Sequence, residues 1–286
     1  MRNRKPKTSS FLIESPKIEK QDVLSQLSDK RGTSLFLGKY SLNEVAAVLM
    51  KRDFLKEAQA KDLWPLDFEL DSSGYPLQRL QIFYRTKKPE NVIVDLKIRE
   101  GRYKVKNAFA LKYLSSDYDF LFLEWLTLQN PRLEFTQERT PLPGQSHPGL
   151  NLGRKVLDLF VYLGRIMKKD GLLAFPAYFH NALLFSRYFH FFNPAKEGEI
   201  QAVRKSFTDV SFKNLAWIVH TNCLRWKDNQ VYEWQAEPQA HPFNKTLNKY
   251  FDSKAYKDEV KNVQENLRFT IDWEDYRIKM QNLVSI

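Results

Sequence analysis

The stretch that most constrains the fold of this 286-residue chain lies at residues 120–194. It opens with an apolar run at 120–128 that contains a single charge, Glu124. The segments after it are a proline- and glycine-containing loop, an amphipathic run at 154–169, a short apolar run at 172–177 and a second helical run at 178–192. These apolar periods predict the order strand, loop, helix, strand, helix. The continuous apolar character of the first run predicts a strand that is covered on both faces.

The loop within this stretch has the sequence GQSHPGLNLGRK at residues 144–155 and leads directly into the predicted helix. Glycine permits positive φ angles and a close approach between backbone and ligand. The first N–H groups of a helix have no intrahelical partner and lie at the positive end of the helix dipole, so they attract anions. Two interpretations of residues 149–155 stay open: a phosphate-binding loop, or a turn that needs its glycines for the backbone alone.

The order of these elements resembles the core of the GNAT superfamily of N-acetyltransferases. The residues that carry the resemblance are the loop pattern Q-x-x-x-G-x-x-x-G and the segment NALLFSRYFHFF at 181–192, and it covers roughly residues 35–192. In that family the loop amides hold the pyrophosphate of acyl-coenzyme A, and the preceding strand splays from its neighbour to admit the pantetheine arm. The loop spacing is wider here, and Ser186 and His190 stand where the family carries tyrosine and glycine.

The resemblance implies a donor, which is either acyl-coenzyme A or the phosphopantetheine of an acyl-carrier protein, and an acceptor that bears an amine. It also implies a set of donor-binding residues in the loop, at the start of the first helix and in the second helix. These residues are Gln145, Gly149, Leu150, Asn151, Leu152, Gly153, Arg154 and Asn181.

Two residues are candidates for the chemistry of acyl transfer, which needs a base that takes a proton from the acceptor ammonium. Glu124 is the first, because a carboxylate among apolar residues has its pKa raised toward neutrality. The alternative for Glu124 is a structural role, paired with an arginine such as Arg99 or Arg187. His180 is the second candidate, because histidine titrates near neutral pH and can relay a proton.

Shorter alternating runs precede the central stretch and predict antiparallel strands at 64–70, 77–84 and 91–98. Before them we expect a first strand at 33–40, and then one helix that begins after Ser41 and continues to residue 62, with Glu44 completing a capping box. Together these elements predict a mixed, mostly antiparallel central sheet flanked by helices, in the α+β or α/β class and similar to the GNAT fold.

Three regions are predicted along the chain. Residues 1–32 form a basic, flexible N-terminal arm, residues 33–194 form the GNAT-like core, and residues 195–286 form an extension that packs on the core because its tryptophans need burial. A hairpin is expected at 223–234, and a final strand of the family type is expected within the extension.

The net charge and the cysteine content limit which binding partners and which cellular compartment are expected. The net charge of +11 attracts polyanions such as coenzyme A phosphates, an acidic carrier protein or nucleic acid. The single cysteine, Cys223, excludes an intramolecular disulfide, and we expect a cytoplasmic protein without a secretory signal or a transmembrane segment. Neither H-E-x-x-H nor C-x-x-C occurs, so we expect no metal. The alternative to an acyltransferase is a noncatalytic GNAT-like module that binds nucleic acid or a protein partner.

Overall fold

The structure is a computed structural model that describes residues 34–284. The predicted arm at 1–32 lies outside the described residues. The strands are β1 (Leu66–Asp71), β2 (Gln78–Tyr84), β3 (Val92–Lys104), β4 (Asp117–Leu128), β5 (Gly171–Ala174), β6 (His190–Phe191), β7 (Leu224–Trp226), β8 (Gln239–Pro242) and β9 (Phe269–Ile271). The α-helices are α1 (Leu42–Lys51), α2 (Phe54–Ala60), α3 (Gly153–Ile166), α4 (Phe179–Phe185), α5 (Pro194–Ser206), α6 (Phe212–His220), α7 (Lys245–Asp252), α8 (Lys254–Asn266) and α9 (Trp273–Val284).

A seven-stranded sheet in the order β1-β2-β3-β4-β5-β8-β6 forms the centre of the molecule. Its neighbouring strands are antiparallel except for β4 and β5, which are parallel and are connected through α3. A second sheet pairs β7 with β9. The described chain is therefore a mixed α/β protein with a mostly antiparallel sheet flanked by helices, as the sequence predicts.

The first half of β4 is covered on both faces, as its apolar run predicts. Leu121 and Leu123 belong to the core cluster that also contains buried residues of α1, α2 and α3. Phe120 and Phe122 belong to the cluster that contains buried residues of α7 and α8. We call these two sides of the sheet the α1–α3 face and the opposite face.

The predicted first strand at 33–40 is wrong in its described part. The chain instead reverses between Phe36 and Tyr40, which form an isolated bridge. Leu37 and Gly38 lie in the turn with φ angles of 52° and 65°, and these left-handed conformations cannot continue a strand.

The predicted helix after Ser41 begins as expected but is interrupted. The Glu44 N–H donates to Ser41 Oγ at 3.3 Å, and the Ser41 N–H donates to Glu44 Oε2 at 2.8 Å, which completes the capping box. Asp53 has a φ of 60°, and this left-handed residue separates α1 from α2.

The extension contributes to the central sheet, since β8 inserts between β5 and β6. The hairpin expected at 223–234 is reduced to an isolated bridge between Arg225 and Val231, and β7 pairs instead with β9 near the end of the chain. None of the helices within residues 34–284 is both long and apolar enough to cross a bilayer.

Candidate functional site

The parallel strands β4 and β5 separate in the middle of the sheet. Their pairing runs from Phe120/Gly171 to Leu123/Ala174, where β5 ends and β4 continues to Leu128. Within the described residues, contact on that side of β4 resumes where the Leu150 N–H donates to the Leu128 carbonyl at 3.2 Å. The edge of β4 from Glu124 to Thr127 therefore has no partner strand within the described residues, and we call this gap in the sheet, between the end of β5 and the loop that precedes α3, the opening.

Aromatic contacts fix the walls of this opening. A Cβ atom built on Gly144 would lie 2.5 Å from the Tyr178 hydroxyl, so the tyrosine after β5 packs directly on the loop. The Trp217 Nε1–H donates to the Pro141 carbonyl at 2.9 Å. The Trp234 Nε1–H donates to the Pro176 carbonyl at 3.1 Å. Two tryptophans of the extension thus hold the loop and the end of β5.

A β-bulge lies at Glu124, the residue at which the two strands separate. Ile98 pairs with Leu123 and Lys97 pairs with Trp125, so Glu124 is the extra residue on β4. Alternate residues of a strand share a face, and cross-strand partners do as well. Because Glu124 bonds to Arg99 while Trp125 pairs with Lys97, Glu124 and Trp125 lie together on the opposite face of the sheet.

The surroundings of Glu124 correct the expected apolar environment. Its Oε1 accepts a hydrogen bond from Arg99 Nε at 2.7 Å, and its side chain is 30% exposed. This is the pairing that the structural alternative predicts. Glu124 Oε2 has no hydrogen bond to another described residue and stays available to a ligand. The bulge is the physical reason, because it turns this side chain away from the buried half of β4.

Arg99 is held in place on two further sides. Its guanidinium carbon lies 3.6 Å from the centre of the Phe122 ring, which is a close cation–π contact. A Cβ atom on Gly101 would lie 2.6 Å from Arg99 Nη1, so the missing side chain at Gly101 leaves room for the guanidinium. The carboxylate of Glu124 is thereby oriented by an arginine that is itself packed.

The start of α3 faces open space. Among the described residues no side chain caps this helix, and Gly153, Arg154 and Lys155 are exposed at its first turn. Asn151 has a left-handed φ of 59°, and Leu152 follows with φ −106° and ψ 5°. Such an alternation turns successive N–H groups toward one concave side, which is a geometry that binds anions.

The remaining residues predicted to bind the donor differ in burial. Leu150 and Leu152 are buried, so their side chains hold the loop to the core and only their backbones can contact a ligand. The Gln145 Oε1 accepts the Leu142 N–H at 3.0 Å and stabilises a turn. Asn181 is half-buried in the first turn of α4.

An arginine that the sequence patterns do not single out also lies at the loop. The Arg139 guanidinium donates to the Gly149 carbonyl at 3.4 Å. Lys155 forms an ion pair with Glu57 at 2.6 Å, whereas no ion pair involves Arg139 or Arg154 within the described residues. The proline-rich connection around Arg139 shows neither helical nor strand periodicity, so the sequence does not indicate where Arg139 lies and only the fold places it at the loop.

Burial changes the expectation for His180. The residue is 3% exposed, and its ring stacks on Tyr178 with a centroid distance of 5.3 Å. Burial, together with the nearby His220, lowers the pKa of His180 to about 4. The ring is therefore neutral at pH 7, and it does not titrate in the range that a proton relay at neutral pH requires.

The His180→Phe variant is expected to be less sensitive to acid than the wild type. Because the folded pKa of about 4 lies below the unfolded value of 6.5, the unfolded chain binds the proton first. This preference of the proton for the unfolded chain destabilises the fold. The loss of unfolding free energy is absent above the unfolded pKa and grows as pH falls toward the folded pKa, to about 2–3 kcal/mol. Urea denaturation from pH 7 to pH 4 measures it. Burial also lowers the pKa of His190 and His241, so these residues add to the pH dependence of the unfolding free energy. Only the part of that dependence that is lost in the variant belongs to His180. An unchanged slope would contradict this assignment.

The Gly144→Ala variant is expected to lower the free energy of unfolding by about 1–3 kcal/mol. Gly144 has a φ of +76°, and its Cβ atom would clash with Tyr178. Gly153→Ala is the matched control, because a Cβ atom at Gly153 meets no heavy atom within 4 Å. Urea denaturation compares the two variants. Equal transition midpoints would show that Tyr178 moves aside without a loss of stability.

Comparisons with known proteins add no identity to this geometry. No protein-family model, no curated protein and no solved structure matches the chain. No group of three or more histidine, cysteine, aspartate or glutamate side chains is placed to hold a metal ion within residues 34–284.

Proposed function

We propose that this protein is an acyltransferase of the GNAT type, which moves an acyl group from acyl-coenzyme A or an acyl-carrier protein to an amine. One observation carries the proposal. The parallel pair β4 and β5 separates at Leu123/Ala174, beside the uncapped start of α3 and at the bulge that holds Glu124. Within the described residues, a helix start without a side-chain cap, a strand edge without a partner strand and a part-exposed carboxylate thus border this opening.

The helix end and the strand edge suit two parts of the donor. The exposed amides of Gly153, Arg154 and Lys155 donate hydrogen bonds to the pyrophosphate, and Arg139 adds positive charge at the loop. The edge of β4 from Glu124 to Thr127 offers backbone N–H and C=O groups to the pantetheine amides, in the way that an exposed sheet edge binds an extended peptide.

Glu124 supplies the proton acceptor in this proposal. Its carboxylate takes a proton from the acceptor ammonium, and the free amine attacks the carbonyl carbon of the thioester. As the new C–N bond forms and the C–S bond breaks, the nitrogen loses its second proton, which passes through water to the departing thiolate, so the products are the amide, the thiol and a protonated Glu124. Arg99 is a positioning residue that holds the carboxylate through the 2.7 Å bond. His180 has no part in this path, because its ring is buried and neutral.

Thermal unfolding with added ligands tests the proposal. Coenzyme A at about 100 times its dissociation constant is expected to add about 2.7 kcal/mol to the free energy of unfolding. A single-stranded oligonucleotide is the comparison, measured at low and high salt. The proposal fails if neither coenzyme A nor an acyl-carrier protein raises the melting temperature while the oligonucleotide does so in a salt-dependent way. That result would favour the noncatalytic binding module.

A further inference from the structure

A second concave site lies on the opposite face of the sheet, next to the bulge. Its floor is formed by β2, β3 and β4, and its rim by the segment around Pro89 and by the first part of the loop before α3. The cleft has a volume of about 450 Å³. We call it the sheet groove; its main lining residues are Arg79, Gln81, Asp95, Trp125, Thr127 and Ser146.

The formal charges of the sheet groove are already paired. Arg79 donates from Nε and Nη2 to the two carboxylate oxygens of Asp95, at 2.7 and 2.9 Å. Lys87, on the rim, lies 3.7 Å from the Asp67 carboxylate. Among the residues that line the groove, a charged ligand therefore finds neither a free cation nor a free carboxylate, since a two-fold bonded guanidinium–carboxylate pair satisfies both groups.

The groups that remain available are neutral. The side chains of Gln81, Thr127 and Ser146 form no hydrogen bond to another described residue, and they line the groove as amide and hydroxyl groups. Each of these can both donate and accept. Beside them, Trp125 is 44% exposed, although it belongs to a strand inside a seven-stranded sheet. The groove thus offers an indole surface surrounded by neutral hydrogen-bonding groups.

We propose that the sheet groove binds a saccharide ring and that, if the proposed function holds, the acceptor is an amino sugar. A pyranose presents C–H groups that pack on the electron-rich face of an indole, and its hydroxyls both donate and accept hydrogen bonds. The neutral amide and hydroxyl groups match that chemistry, whereas a phosphate or a carboxylate finds no unpaired cation among the residues that line the groove.

The bulge connects this groove to the proposed reaction. Glu124 and Trp125 are consecutive and lie on the same face, and the groove reaches Gly144 and Ser146 of the loop that continues to Gly153. A ring seated on Trp125 therefore brings an amine substituent beside the free oxygen of Glu124. One loop borders both the acceptor groove and the donor amides.

Binding of sugars in the absence of any donor tests the groove. In a ¹H–¹⁵N spectrum, the indole signal that disappears in Trp125→Ala identifies Trp125, and the signal of Trp64, 46% exposed and outside the groove lining, is the internal control. Glucose, galactose, glucosamine and galactosamine are titrated to about ten times a millimolar dissociation constant. At least one is expected to shift the Trp125 signal saturably and leave the Trp64 signal unmoved. If no sugar shifts it, the groove assignment is overturned.

Variants distinguish a loss of sugar binding from a loss of folding and from the role proposed for Glu124. Trp125→Ala is expected to weaken sugar binding about 10-fold, and the near-isosteric Thr127→Val tests the same surface should Trp125→Ala unfold. Glucosamine is expected to bind more tightly than glucose, and Glu124→Gln is expected to remove that difference. If sugars bind equally with and without the amine, the amino-sugar acceptor is wrong even though the groove stands. If the wild-type protein binds sugars but does not bind coenzyme A, the proposed function is contradicted and the saccharide site stands.

Discussion

The Glu124→Gln variant is expected to lower the rate of acyl transfer near neutral pH by about 100-fold or more, with the dissociation constant of the donor unchanged. A positioned general base contributes about 10²–10⁴-fold to a rate, and an amide cannot accept the ammonium proton in its place. The glutamine keeps an oxygen that accepts from Arg99 Nε, so the local packing is retained. Single-turnover kinetics with a preformed donor complex measure the chemical step, and calorimetry measures donor affinity.

The matched control for this variant is Glu69→Gln. Glu69 is an exposed glutamate of the same sheet, on the edge strand β1, far along the sheet order from the opening beside β4. The control removes the same charge and is expected to leave the rate unchanged. Wild-type turnover in Glu124→Gln would dismiss this carboxylate as the base and leave it as the structural partner of Arg99.

The Gly153→Val variant is expected to weaken donor binding by about 10- to 100-fold without unfolding the protein. Losing one or two hydrogen bonds to a charged group costs about 1.5–3 kcal/mol, and a β-branched side chain at the first turn blocks close approach to the amides. A Cβ atom at Gly153 meets no heavy atom within 4 Å, so the fold has room for the substitution. Calorimetric titration with coenzyme A gives the affinity, and thermal unfolding verifies the fold.

Gly74→Val controls for the replacement of an exposed glycine. Gly74 lies in the turn between β1 and β2, and its Cβ atom would make only an ordinary 3.5 Å contact with the Leu77 carbonyl. Donor affinity is expected to survive in this control. If Gly153→Val binds coenzyme A as tightly as the wild type, the start of α3 is not the pyrophosphate site.

Features set by local chemistry were predictable from the sequence. The continuous apolar run at 120–128 predicted burial on both faces, which holds for residues 120–123 and fails from Glu124 onward, and the spacing of Ser41 and Glu44 predicted the capping box. The glycine-containing loop that enters α3 predicted the position of a helix start that no side chain caps within residues 34–284. Each of these features depends on residues within a few positions of one another, so the pattern that produces it can be read from the sequence alone.

Features set by distant partners were not predictable. The bulge at Glu124 exists only in the register between β3 and β4, so the sequence could name Arg99 as one possible partner of Glu124 but could not choose it over Arg187. The strand β8 has the sequence QAHP, which shows no alternation, and its pairing with β5 and β6 makes it a strand. The end of the predicted helix at Asp53 depends on a left-handed residue that no helix propensity signals.

Ser186 and His190, which stand where the GNAT resemblance leads one to expect tyrosine and glycine, have local structural roles. Ser186 follows α4 and its hydroxyl donates to the Leu183 carbonyl at 2.7 Å, which satisfies a helix-end acceptor. His190 lies in β6 and its ring contacts Phe251 at a centroid distance of 5.3 Å. Neither residue borders the opening through a contact seen within the described chain, so the proposed chemistry does not depend on either.

A crystal structure of the protein soaked with a nonhydrolysable acyl-coenzyme A tests the central claim most directly. The account predicts pyrophosphate oxygens within hydrogen-bonding distance of the amides of Gly153, Arg154 and Lys155. It also predicts a pantetheine chain along β4 from Glu124 to Thr127, with the thioester beside the free oxygen of Glu124. Density for the donor elsewhere on the surface, or an opening filled by protein side chains in a crystal that otherwise binds the donor, would contradict it.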